Sequence, residues 1–483
     1  MRVFALSVAI ILFAIMLSRL DAQTEIVCRG PAPGGEETTW QLTCELITPT
    51  STSTSTSTST LTATATLTPT ASFTATSSLT RTPTATATIP TATSVSTATA
   101  SLTTAPTAIA SCSGTTAGGS TTIAQAMAAA PDGGTVCIKA GVYPVEVVIA
   151  KRLTLRPFGN GEVIVDGGCS RTHNVRVSAA GGSGSTVTGL TLRNATESAV
   201  LLENLTTKNV VVDGNQILDF DCQNTQTVAE NRAGVAMWYA GSGHRITNNT
   251  IKRRSTGTLA GGLSNGIWAK SNGANPSGGG HYIAGNFIAG IWDGIGGEVE
   301  SDSRGSYDRN TIIENNVIED CDDDGIQVDG GNLNSAVRNN VIRRCSVGIS
   351  NAPNLTGPLT ISGNTITEGH VGAFGNLACF KVGNAGPGVT TYTGNVCVQG
   401  GTGWSQTNSG INPIVARGNQ INVGVYVIEL TSTLSGVAFD GDCLYTSDPT
   451  RFAKWGNVRY DTLAAFRSLG QEVQGESRPS CGS

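Results

Sequence analysis

Polar and apolar positions along the chain repeat with a spacing that is neither helical nor simply alternating. Asn215, Asn249, Asn286, Asn316, Asn340, Asn364, Asn395 and Asn419 each follow a Gly or Asn and precede, two residues on, an Ile or Cys. Successive members lie 34, 37, 30, 24, 24, 31 and 24 residues apart, a base period of 24 with insertions. A second phrase, a Gly and then a β-branched residue, follows the Asn: Gly234-Val235, Gly266-Ile267, Gly294-Ile295, Gly325-Ile326 and Gly348-Ile349. Apolar stretches this short, rich in Val and Ile and broken by Gly and Asn, predict strands rather than helices. A chain that winds one coil per period stacks equivalent strands about 4.8 Å apart and ladders identical side chains. The predicted architecture is all-β, a single-stranded parallel β-helix over residues 112–483.

The same repeat sorts side chains by face. With the β-branched residue after each Gly inward, alternation turns its neighbours outward. Trp238, Lys270, Glu298 and Asp329 then form one outward ladder; Ala236, Trp268, Gly296 and Gln327 form a second; Arg232, Ser264, Trp292 and Asp323 form a third on the amino side of the Gly. Insertions flank this strand on both sides over the coils of Asn215, Asn249 and Asn286, and such walls make a groove. Exposed indoles at Trp238, Trp268 and Trp292 would suit sugar rings there; packing under a loop is the plainer alternative for each.

Upstream, an apolar stretch after Arg2 ending near Ala22 predicts a signal peptide over residues 1–22, with an uncleaved anchor as the alternative. Residues 23–47 form a short segment in which Cys28 and Cys44 can pair. Residues 48–111 are almost wholly Thr, Ser, Ala and Pro, with one charge at Arg81, and cannot build a core. They predict a stalk, a site for glycosylation. Twelve cysteines in an exported chain make disulfides possible, and Cys321 and Cys345, one coil apart, are a candidate bridge or a stack of thiols.

Composition narrows the partners. Charged residues are 13% of the chain, Lys+Arg 30 against Asp+Glu 35, with a net charge of −5 and no basic run. Nothing there resembles a nucleic-acid binder, and no apolar run beyond the N-terminus is long enough to span a bilayer. Both ends of the solenoid read as capped, which predicts a monomer.

Acidic residues gather on the groove coils. Asp293-Gly294 and Asp324-Gly325 occupy matching positions on neighbouring coils, with Asn265-Gly266 one coil earlier. Two stacked carboxylates repel, so either one keeps a proton, as an acid catalyst would, or a cation sits between them. Asp293, Glu298, Asp323, Asp324 and Asp329 form a candidate Ca²⁺ site; acidic turn residues capping backbone amides are the bland alternative. Lys270, between Trp238 and Glu298 in its ladder, is the candidate base of a β-elimination, with Arg232, Lys252, Arg253 and Arg254 as charge stabilisers and Gln327 as a further substrate contact. His244 and His281, five residues before their repeat Asn, read as structural for want of a third zinc ligand.

Over residues 112–483 the sequence resembles the right-handed β-helix, pectin-lyase-like superfamily. Ile123-Ala124-Gln125-Ala126, Pro131 to Val136 and Gly141-Val142-Tyr143 are similar to its N-terminal cap helix and first strand; Trp455-Gly456 and Tyr460 to Phe466 are similar to its C-terminal cap. Trp292-Asp293-Gly294 and Asp323-Asp324-Gly325 resemble the acidic coils of polygalacturonase-type hydrolases, which implies an acid and a base among these aspartates. Val347-Gly348 and Gly372-Ala373-Phe374 stand where those hydrolases carry His-Gly and Arg-x-Lys, and the signature phrases of pectate lyases and alginate epimerases are missing. The expectation is a secreted protein acting on an acidic polysaccharide, by elimination with Lys270, Asp293 and Asp324 as catalytic residues. A binding-only adhesin and a hydrolase with paired Asp are the alternatives.

Overall fold

The computed structural model describes residues 25–29, 43–47, 112–223, 232–253, 264–271, 278–299, 307, 309–372, 374–432 and 434–482. The expected signal peptide, the stalk, Arg254 and most of the groove-flanking insertions lie outside them. The chain divides into two units, Met1–Thr99 and Ala100–Ser483. In the first, strands Glu25–Arg29 and Thr43–Ile47 pair antiparallel in a register that sets Cys28 opposite Cys44.

The second unit is a parallel β-helix. One sheet of 13 strands and one of 23 run along it, strand pairing with strand from coil to coil. Helix Ile123–Ala129, begun by a reciprocal Thr122–Gln125 capping box, closes the first coils over Ala126 and Met127. At the other end the ring of Phe466, on helix Leu463–Arg467, packs 5.4 Å from Trp455 and 5.9 Å from Tyr460. Both caps therefore stand where the sequence resemblance implies them.

The two phrases have separate physical causes. Each repeat Asn sends its Nδ2 to the Oδ1 of the Asn one coil on, as Asn249 does to Asn286 and Asn316 to Asn340, both at 3.0 Å. The next Oδ1 also accepts the backbone N–H, so that a buried amide is satisfied on every side. The residue before each ladder Asn has positive φ, such as 67° at Gly285 and 57° at Asn315, which is why only Gly and Asn occur there. At Gly266, Gly294 and Gly325 a Cβ would overlap the γ-methyls of Ile288, Ile318 and Ile342. The inward isoleucines demand those glycines.

Five disulfides staple the coils: Cys112–Cys137, Cys169–Cys222, Cys321–Cys345, Cys379–Cys397 and Cys443–Cys481. The surface ladder of Asp320, Arg344 and Glu368 pairs as its signs predict, with Arg344 Nε 2.6 Å from Asp320 and Nη1 3.3 Å from Glu368.

The Asn ladder ends on two acids. Asp442 Oδ1 accepts from the Asn419 backbone N–H and Nδ2 at 2.6 and 2.8 Å, and Glu472 Oε2 accepts the Asp442 N–H at 3.1 Å. Burial and the facing Asp442 push the Glu472 carboxyl up to about 9. A carboxyl raised on folding contributes stability that is complete below its unfolded value of about 4.3 and is lost as pH rises through the folded one. Melting temperature is therefore expected to decline from pH 4.5 toward pH 9, and Glu472→Gln, which keeps an acceptor and cannot ionise, is expected to flatten that decline. Equal slopes in both proteins would show that this pair does not set the alkaline limit.

Candidate active site

The acidic positions before the second-phrase Gly stack as a ladder of their own. Asn265 Oδ1 accepts the Asp293 N–H at 3.3 Å, and Asp293 Oδ1 accepts the Asp324 N–H at 2.9 Å. Beyond them in register come Val347 and Ala378, so the acidic run is two coils deep. Asp293, Asp323 and Asp324 bring carboxyl oxygens within 4.8 Å of one another, and all three are buried. Asp324 is 0% exposed, whereas Asp323 keeps 8% toward solvent.

A residue that the sequence did not single out completes the cluster. Lys381, in strand Ala378–Gly383, lies in the register of Ser350 and Gln327 and reaches back to place Nζ 2.6 Å from Asp324 Oδ2. Burial opposes its charge, yet Asp324, Asp329 and Asp323 together hold the ammonium far above its ordinary value. Charge is thus shared unequally among the acids. Burial, then Asp324 and Asp323, drives the Asp293 carboxyl well above the usual range. Burial also raises Asp324, to about 7, with Lys381 pulling the other way and Asp323 and Asp329 adding to the rise. Asp323 is raised by burial as well, against the pull of Lys381. Burial and like charge thus raise Asp293, Asp323 and Asp324 together, and the Lys381 ammonium, ion-paired with Asp324, opposes the rise. The second oxygen of Asp324 is buried with no hydrogen-bond partner among the described residues.

Several expected members stand elsewhere. Asp329 turns to the following coil, where Ala352 N–H and Ser350 Oγ bond it at 2.6 and 2.9 Å, and Gln327 Nε2 of its own coil bonds it at 3.0 Å. Its oxygens and the Gln327 amide are already engaged, which removes Asp329 from the converging carboxylates of the proposed Ca²⁺ cage. Glu298 pairs in register with Lys270 within strand Ile295–Val299, and its side chain lies outside the described residues. Asp293, Asp323 and Asp324, whose oxygens converge, are the residues of the expected Ca²⁺ set that could hold a cation, and Lys381 brings an ammonium to the same cluster.

The aromatic ladder also needs correction. Trp268 points outward as alternation requires, but it is only 5% exposed, packed with Leu201, Ala233, Ala236 and Trp238 and lying over Gly296. Small residues on the neighbouring coils let the indole lie flat on the sheet, so it offers no open face. Trp238 is half-buried, with Lys270 Nζ 4.6 Å from its ring centre and 5.8 Å from that of Tyr239. In register, Lys270 sits five residues along the strand from the level of Asp293 and one coil before it. Lys270 and the carboxylates do not share a coil position.

Arg232 and Arg253 face the buried Asp221 at 3.8 and 3.4 Å, and Ser264 Oγ donates to the same carboxylate at 2.6 Å. These cations answer an internal charge. Lys252 rests over the Phe287 ring at 4.8 Å. His244 and His281 stack 5.3 Å apart, burial lowers both, His244 to about 4, and each Nδ1 accepts a backbone N–H from the coil before. Trp292 remains beside the acids: its N–H bonds Ser264 O, its carbonyl accepts the Asp323 N–H, and its ring meets Phe374 at 5.6 Å and 88°.

Residues 227–402 match the family model described as a right handed beta helix region. No curated protein matches the sequence. Among solved structures, the catalytic domain of a GH87 alpha-1,3-glucanase superposes as a tetrasaccharide complex with TM-score 0.51 and 16% identity, over 76% of this chain and 68% of that one. Its complex with nigerose gives 0.50 and 14% over the same shares. An alginate lyase from Paenibacillus sp. gives 0.43 and 19%, over 58% of this chain and 93% of that one. The fold is the right-handed parallel β-helix, and identities this low speak to fold alone.

Proposed function

We propose that this chain is an exported, glycan-cleaving enzyme that hydrolyses a glycosidic bond over Asp293, Asp323 and Asp324. The observation that carries the reading is the convergence of three buried carboxyls, with oxygens within 4.8 Å of one another and the Lys381 ammonium 2.6 Å from Asp324. Hydrolysis of an acetal needs one acid and one carboxylate at the same bond, set to different proton affinities by their surroundings. Asp293, protonated, gives its proton to the glycosidic oxygen as the bond to the anomeric carbon breaks. Asp323, the most exposed of the three, is the carboxyl partner of Asp293 at that bond, and Lys381 ion-pairs with Asp324 beside them.

Elimination fits the residues less well. It asks for a neutral amine or similar base beside a uronate, and Lys381 is an ammonium in an ion pair while Lys270 lies against two rings. A uronate would also bring a further negative charge to buried carboxyls that already repel, which favours a neutral ring at the reacting position. One solenoid of this fold, the GH87 alpha-1,3-glucanase domain, holds bound sugars in two complexes, which accords with a glycan as the ligand. Export is supported by the five disulfides, which persist in oxidising compartments. Among the described residues no helix is long and apolar enough to cross a membrane.

The test is a panel of neutral glucans, pectate and alginate, each with and without chelator, followed by reducing-sugar release and by ultraviolet absorbance of unsaturated ends. Reducing ends without the unsaturated chromophore, at a rate that chelation leaves unchanged, are expected. Unsaturated products, or turnover lost on chelation, would replace hydrolysis with a cation-assisted elimination.

A further inference from the structure

The stretch 369–377, which follows the coil of Asn364, carries a ring that the chemistry above does not use. Phe374 is 68% exposed beside a cluster of buried acids, and its ring stands at right angles to that of Trp292, the residue preceding Asp293. Its described residues are tied down on both sides of the ring. Ser346 Oγ donates to the Asn376 carbonyl at 2.6 Å, and the Gly375 N–H closes on Gly372 O at 3.0 Å. Gly372 approaches the carbonyl of Asp322 and the side chain of Ser346 so closely that a Cβ would have no room. The chain is thus pinned to the coil that supplies Asp323 and Asp324, and its aromatic ring is held out at their edge.

Two rings at right angles form a corner with one edge-on wall and one open face. A pyranose presents a flat patch of C–H groups on one side and hydroxyls around its rim, so it can bury the patch on an aromatic face while its hydroxyls reach polar groups. We propose that Phe374 is a stacking platform for the sugar ring next to the reacting bond, with Trp292 as the wall that sets its orientation. This rests on the glycan-cleaving reading and adds to it a positioning residue and the kind of surface it grips: the apolar face of a neutral pyranose.

The test uses the full chain in an Asp293→Asn background, so that the ligand is bound and not consumed. The probes are soluble α-1,3-gluco-oligosaccharides, cello-oligosaccharides and oligogalacturonates, titrated calorimetrically. For a neutral probe that the parent binds, Phe374→Ala is expected to weaken affinity by roughly three- to tenfold, the scale of one aromatic contact, and a parent that binds oligogalacturonates alone overturns the neutral-pyranose platform. Melting temperature should stay at the parent value. Phe374→Tyr should bind as the parent does, and so should Val371→Ala, an equally exposed change in the same stretch. Undiminished binding by Phe374→Ala, or an equal loss in Val371→Ala, overturns the platform while leaving hydrolysis standing. A parent that binds none of the probes overturns the glycan reading itself, before any change at Phe374, and the platform falls with it.

Discussion

Replacing Lys381 with methionine is expected to abolish turnover and to destabilise the middle of the solenoid at neutral pH. Lys381 is the cation whose field lowers Asp293, Asp323, Asp324 and Asp329 alike, and its Nζ lies 2.6 Å from Asp324. Removing one partner of a buried pair leaves an uncompensated charge, at a cost of about 3 to 5 kcal/mol. That is a large part of the roughly 5 to 15 kcal/mol by which a folded domain is stable. The carboxyls can escape only by taking up protons, so their folded values rise further. Groups raised on folding contribute stability that is present below the unfolded value, about 3.9 for Asp, and lost as pH climbs through the folded one. The melting temperature of Lys381→Met should therefore approach that of the parent near pH 4 and fall away from it steeply toward pH 8. Adding Asp324→Asn removes the stranded charge, and the double variant should recover most of the lost stability without recovering activity. Parallel pH curves for Lys381→Met and the parent would mean that the ammonium is not what holds these acids.

Much of this arrangement is legible in the sequence, and what is not has specific physical causes. The Asn repeat fixed the register because each ladder amide must meet its neighbour one coil on, and insertions between coils do not disturb that pairing. The stacking of Asp293 on Asp324 followed from the shared Gly after each. Lys381 escaped because it stands 57 residues from its partner, on a coil in which Ala378-Cys379-Phe380 replaces the Gly-plus-aliphatic phrase. Extending the register through Ile349 to Phe380 would have placed Lys381 in the ladder of Gln327 and Ser350. Trp268 was misjudged for a different reason. Period-two alternation says which face a side chain takes, and it is silent on whether neighbours cover that face; Ala236 before it and Gly296 after it were the signal that the indole could lie down. Asp329 belonged to the right ladder, but Ser350 and the Ala352 amide on the next coil drew its carboxylate away.

The same ladder that aligns the acids separates what the fold requires from what the chemistry requires, and Asp293→Asn should expose the difference. One coil earlier the position is Asn265, whose Oδ1 accepts the next backbone N–H. Asparagine at 293 can accept the Asp324 N–H in the same way, so the ladder loses nothing. The proton is lost: an amide cannot protonate a leaving oxygen, and removal of a general acid is expected to slow turnover about 10²- to 10⁴-fold. Stability should move the other way. Asp293 stands well above its ordinary value in the folded chain because burial and Asp324 disfavour its charge. A carboxyl raised on folding contributes stability that is present below its unfolded value and lost as pH rises, so the cost of this buried acid grows with pH. Asp293→Asn should melt higher than the parent at pH 7 to 8 and at the same temperature below pH 4, with its activity gone throughout. A variant that loses activity and stability together would make Asp293 a structural member of the ladder and return the search for the proton donor to Asp323.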